Sequence, residues 1–145
     1  MTLNMLKLCV GCDSIEDLIV WRDEDAALKK RLGLPIEQYH TTRMFPKREA
    51  DILDGGSLYW VIKGNVQCRQ KIIDLRPVTG ADGISRCQIV LDHFVVPTQW
   101  QPRRAFQGWR YLEMKDAPAD MRVGQKGLLA MPRELREELA TLGLL

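Results

Sequence analysis

A chain of 145 residues, 46% hydrophobic and 28% charged, has the size and balance of one globular domain with a single substantial core. Its apolar runs are only a handful of residues long, which excludes a membrane-spanning helix, and no basic segment followed by an apolar one marks a secretory signal, so the expected compartment is the cytoplasm. The net charge of +2 is unevenly spread: residues 1–39 carry −2, residues 40–110 carry +5 and residues 111–145 carry −1. A basic middle between acidic flanks points to an anionic partner for the middle.

Leu3 to Val10 reads as a first strand broken by Gly11. Ser14-Ile15-Glu16-Asp17 then starts a helix, with Ser14 as cap and acidic residues in the first turn. That helix is expected to run to about Leu32, with Leu18, Trp21, Leu28 and Leu32 on one stripe and Gly33 and Pro35 ending it. Lys29-Lys30-Arg31 falls at its C-terminal end, where the helix dipole favours cations without any ligand. Residues 34–45 read as an ordered loop or short extended segment, and Pro46 to Leu53 as a short helix closed by Asp54-Gly55-Gly56.

Ser57 to Lys63 is a strand rich in aromatic and β-branched residues, followed by a Gly64-Asn65 turn and a longer strand from Val66 to about Leu75. Thr79-Gly80-Ala81-Asp82-Gly83 is a turn, and Ile84 to Leu91 the returning strand. Pro97 and Pro102 restrict Val95–Arg104 to an edge strand or extended loop. Phe106 to Met114 supplies a final strand, and a helix with Leu135, Leu139 and Leu142 on one face closes the chain from about Pro132. The pattern predicts one α+β domain over residues 1–145. Its centre is a small curved antiparallel sheet or barrel of five or six strands, with an N-terminal, a short middle and a C-terminal helix.

Cys9, Cys12, Cys68 and Cys87 are too sparse for a disulfide framework. Cys9-x-x-Cys12 lies just ahead of a helix start, which leaves a redox or zinc reading open beside that of structural thiols, but Cys68 and Cys87 make no second metal-binding pair. No metal or cofactor is expected. Enzyme motifs of the usual kind are absent: no nucleophile elbow, Walker loop or dinucleotide fingerprint is present.

Pro102-Arg103-Arg104-Ala105-Phe106-Gln107-Gly108-Trp109-Arg110-Tyr111 alternates cations with aromatics, the combination that holds single-stranded nucleic acid by tracking phosphates and stacking bases. The competing reading makes Phe106, Trp109 and Tyr111 core residues with a solvated arginine rim. A second cluster, Thr41-Thr42-Arg43-Met44-Phe45-Pro46-Lys47-Arg48, sets hydroxyls and three cations near a helix start, where a phosphate can be held. Lys63, Arg69 and Lys71 lie in the same basic middle. The candidate binding set is therefore Thr42, Arg43, Lys47, Arg48, Lys63, Arg69, Lys71, Arg103, Arg104, Trp109, Arg110 and Tyr111, with no residue assigned to catalysis.

The stretches Leu6–Gly11, Asp54–Gly64, Cys68-Arg69-Gln70 and Phe106–Tyr111 resemble an alphaproteobacterial domain-of-unknown-function family, number 1489, nearly end to end. The resemblance implies a bacterial cytoplasmic protein and carries no activity with it. More loosely, Thr42-Arg43, the helix from Pro46, Gly55-Gly56 and the strands at 57–63 and 66–75 resemble the PUA-like superfamily, especially its ASCH branch. That likeness implies a small curved barrel binding RNA or modified nucleotides in a cleft. Gly56-Ser57 stands where Gly-Asp is usual, and the Lys and Glu of the amidohydrolase members find no match, so binding is the inference it favours.

The leading expectation is an RNA- or nucleotide-binding module. One alternative is a hydrolase acting on a modified nucleoside or small amide, with Thr42, Lys47 and His40 as candidate groups beside Asp54 or Asp74. The other is a protein-interaction or assembly factor.

Overall fold

The computed structural model describes residues 2–121. Within them the order is β1 (Leu3–Leu8), α1 (Ile15–Arg31), β2 (Gln38–Thr42), α2 (Glu49–Leu53), β3 (Ser57–Ile62), β4 (Asn65–Thr79), β5 (Ser85–Leu91), β6 (Val96–Pro102) and β7 (Trp109–Glu113). The helix expected from Pro132 lies outside the described residues.

The α+β class holds, but the sheet is mixed and open instead of wholly antiparallel or closed. Its seven strands run β2-β5-β4-β3-β1-β7, with β6 paired to β4 off that path. β1 and β3 are parallel, Met5 opposite Leu58 and Leu8 opposite Val61. The reason is the connection: α1, β2 and α2 intervene, and a crossover of that length returns the chain in the same direction. The extra strand is β2, which exists by pairing with β5 from Gln38↔Leu91 to Thr42↔Cys87.

β3 and β4 form a hairpin whose two-residue turn is Lys63-Gly64, one position earlier than expected, with Ile62 opposite Asn65. Both turn residues have positive φ, 50° and 80°. That is the primed geometry that matches the twist of the flanking strands. β4 continues through Pro77 to Thr79, pairing first with β3 and β6 and then, past a register shift between Ile72 and Asp74, with β5.

α1 starts as its sequence dictates: Ser14 Oγ accepts from the Asp17 N–H at 3.3 Å, and the Asp17 carboxylate accepts from the Asp13 N–H at 2.8 Å. Its expected apolar stripe is not buried as a whole. Ile15 and Leu18 enter the core, whereas Trp21, Leu28 and Leu32 remain exposed. Past the first turns the face laid on the sheet is the half-buried stripe of Arg22, Asp25, Ala26 and Lys29, with Lys29 Nζ 4.6 Å from the Tyr39 ring centre, so packing decides which residues are covered.

The main core joins Met5, Leu58, Trp60, Ile62, Cys68, Ile72 and Ile89 with Ile15, Leu18 and Ile52 from the two helices. On the opposite sheet face Leu6, Tyr59, Val61, Val66 and Leu112 form a second cluster, against which Phe106 packs. The alternation of β3 accounts for both, since Leu58, Trp60 and Ile62 face one way and Tyr59 and Val61 the other.

Candidate nucleic-acid interface

β7 lies at one end of the sheet and lends a different chemistry to each face. Arg110 points one way. Its guanidinium lies 5.3 Å from the centre of the Phe106 ring, within cation–π range. Together with Leu6, Pro102, Arg103, Arg104 and Ala105 they line an open groove of about 510 Å³. Arg103 is held by Gln101, whose Oε1 accepts from its Nε and Nη2 at 3.1 and 2.8 Å. Neither Arg104 nor Arg110 forms an ion pair among the described residues. The groove thus gathers three arginines, one of them against the Phe106 ring, and among the described residues its lining contains no carboxylate.

Trp109 and Tyr111 point the other way, edge to face with centroids 4.8 Å apart. Trp109 is half-buried against the main core, and its Nε1–H donates to the Met44 carbonyl at 2.7 Å. The Arg48 N–H donates to the Tyr111 hydroxyl at 3.3 Å, and the Arg48 guanidinium stands 6.0 Å from the Tyr111 ring centre. The basic loop before α2 and the aromatic–basic stretch of β7, which the sequence marked separately, are therefore neighbours. Arg43 and Lys47 are exposed on that loop. Trp109 is partly a core residue, and its single donor is already committed.

The remaining predicted residues are employed elsewhere. Thr42 is buried opposite Cys87 and presents nothing to solvent. Lys63 pairs with Asp13 at 2.9 Å. Arg69 grips Asp120 through Nε and Nη2, both at 2.7 Å, which holds the Asp120 carboxyl below the usual range. Lys71 is exposed on β4 opposite Ser57, away from either face of β7. The groups named for hydrolysis do not assemble: His40 lines one cavity, Asp74 lines another, and Lys47 is on the surface loop.

A second site escaped the sequence reading. Cys9, Cys12, Asp17, Leu18, Trp21, His40 and Trp60 line a cavity of about 250 Å³ between the β1–α1 turn, β2 and β3. The turn is closed by the Cys12 N–H donating to the Cys9 carbonyl at 3.3 Å, with Gly11 at φ 85°. Left-handed backbone at that position is natural for glycine. Burial pushes both thiols up, and the Asp17 carboxylate in the same lining adds to it. The only sequence signal for this site was the Cys-x-x-Cys spacing, because His40 and Trp60 join it through tertiary pairing.

His40 sits edge-on to Trp60, with centroids 5.3 Å apart. Burial, reinforced by the nearby Lys7 ammonium, lowers its pKa to about 4. An unfolded histidine titrates near 6.5, so below that pH the unfolded chain takes up a proton that the folded chain refuses until about pH 4. Stability therefore falls as pH drops through this window, by up to about 3 kcal/mol from this group. Urea unfolding measured between pH 7.5 and 4.5 should show that slope in the wild type and a shallower one in His40→Phe. Parallel profiles would remove His40 as its source.

The model of the family described as "Protein of unknown function (DUF1489)" matches residues 5–145. No curated protein and no solved structure matches the chain. With the family model covering nearly its whole length, the chain belongs to the DUF1489 family.

Proposed function

We propose that this protein is an RNA- or nucleotide-binding module that acts in the cytoplasm and holds its ligand in the arginine groove beside β7. The observation that carries the reading is that Arg103, Arg104, Arg110 and Phe106 line one groove, with no carboxylate among the described lining residues. Guanidinium groups bind phosphate oxygens in paired, directional hydrogen bonds, and an aromatic ring beside them offers a face for a base. Arg43 and Lys47 on the adjoining face extend the positive surface past the strand, whereas Arg48 is paired with Asp51 at 3.0 Å. The resemblance of the sequence to the PUA-like superfamily points to the same ligand class, although the open, mixed sheet is not the closed barrel that resemblance implies. No helix among the described residues is long and apolar enough to cross a membrane.

Fluorescence anisotropy with a short single-stranded RNA across a salt series tests this. Affinity should fall linearly with salt on logarithmic axes, as each phosphate contact releases a counterion. Arg104→Ala and Arg110→Ala remove exposed side chains, so each should leave folding unchanged, weaken binding about 5- to 10-fold and lower the salt slope by roughly one. Absence of binding at low salt, or unaltered binding in both variants, would make the groove a solvated surface.

A further inference from the structure

The cysteine cavity lies apart from the arginine groove and has its own chemistry. The turn closed by the Cys12 N–H on the Cys9 carbonyl sets two half-buried thiols on the wall of one cavity. Trp60 and Leu18 form its buried floor, and Val10 and Trp21 lie at its solvent-facing rim. Lys7, half-buried on β1, is close enough to Cys9 and His40 to couple electrostatically with both. Cys68 is fully buried behind the pair.

The donor set selects among metals. No group of three or more His, Cys, Asp or Glu side chains among the described residues is arranged to hold an ion. Zinc wants four ligands and hard cations want six or more oxygens, so neither is satisfied here. Thiolate sulphur is the preferred partner of soft d¹⁰ ions, which accept two ligands in a line. We infer that Cys9 and Cys12 form a two-coordinate site for a thiophilic monovalent cation of the copper(I) class.

Binding exchanges two S–H bonds for two metal–sulphur bonds and releases two protons, with no change of oxidation state. The product carries one negative charge, which the Lys7 ammonium beside Cys9 offsets and the Asp17 carboxylate in the same lining opposes.

The test is a competition between the reduced, full-length protein and a chromophoric copper(I) chelator under anaerobic conditions. The wild type should withdraw one equivalent of copper(I), and native mass spectrometry should show a single bound ion. Cys9→Ser and Cys12→Ser should each lose at least 100-fold in affinity. Cys87→Ser, whose sulphur lies elsewhere in the core, should bind as the wild type does. Circular dichroism of each variant separates loss of the ligand from loss of the fold, and Cys12→Ala gives a second probe of the turn if the serine unfolds. Failure of the folded wild type to compete would overturn the site. So would retention of affinity in folded Cys9→Ser and Cys12→Ser, or zinc(II) binding as tightly as copper(I).

Discussion

Gly56→Ala is expected to destabilise the protein by roughly 4 kcal/mol or more, in the range reserved for severe core lesions. Gly56 joins α2 to β3: its N–H donates to the Ile52 carbonyl at 2.8 Å, and its own carbonyl accepts from the Ile72 N–H at 3.0 Å. A Cβ there would stand 2.2 Å from the Leu3 carbonyl oxygen and 2.5 Å from that of Ile52. Both obstacles are main chain, so no rotamer change relieves them. Either β1 moves away from the junction or α2 loses its last turn. Set against the total stability of an ordinary domain, about 5–15 kcal/mol, the variant should be largely unfolded at moderate temperature. Gly83→Ala supplies the contrast, because its surroundings are open and only its φ of 77° is at stake. That change should cost about 1 kcal/mol. Urea denaturation followed by circular dichroism reads both, and a wild-type midpoint for Gly56→Ala would show that the junction yields more easily than its geometry implies.

Trp60→Ala should cost about 3–5 kcal/mol. Trp60 is only 1% exposed and touches both the core and the cysteine cavity. Its indole also organises a buried polar chain: Nε1–H donates to Gln70 Oε1 at 2.9 Å, and Gln70 Nε2 donates to Gln38 Oε1 at 2.9 Å and to the Asp92 carbonyl at 3.0 Å. An indole only donates, so it fixes which end of Gln70 is the acceptor, and Gln70 in turn orients Gln38. Trp60→Phe keeps most of the ring but strands the Gln70 oxygen, for a cost of roughly 1–3 kcal/mol. The difference between the two variants in urea unfolding separates volume from hydrogen bonding. A wild-type midpoint for Trp60→Phe would mean that the amide chain contributes nothing, and losses equal to those of Trp60→Ala would mean that the ring volume does not.

Local elements were legible where local chemistry decides them. Ser14 and Asp17 announced the start of α1, and the aromatic and β-branched run of β3 announced a strand. Where a distant partner decides, the sequence was silent. Gln38-Tyr39-His40-Thr41-Thr42 is too polar to read as a strand, and it becomes one because β5 offers it hydrogen bonds. The parallel β1–β3 pairing is likewise invisible, since neither strand's alternation encodes the direction of its neighbour. The stripe on α1 misled because the later turns lie on the sheet through Arg22, Asp25, Ala26 and Lys29, a mostly polar face that hydrophobic periodicity does not mark. At the candidate interface, composition found the arginines of the groove and the aromatics of β7. It also gathered Lys63 and Arg69, whose charge is spent on Asp13 and Asp120, because a sequence does not show which cations already have partners.

The parallel strand pair also sets an order of assembly. β3 and β4 meet across a two-residue turn, whereas Met5 must find Leu58 across more than fifty residues of chain. Loop-closure entropy makes the second event costlier by roughly 2.5 kcal/mol before any contact offsets it. β1 therefore joins the sheet only after the β3–β4 hairpin is available to receive it. Cys9 follows directly from its end, and β7 pairs with nothing but β1 among the described strands. The cysteine cavity and the arginine groove both depend on this strand, so one docking event completes both.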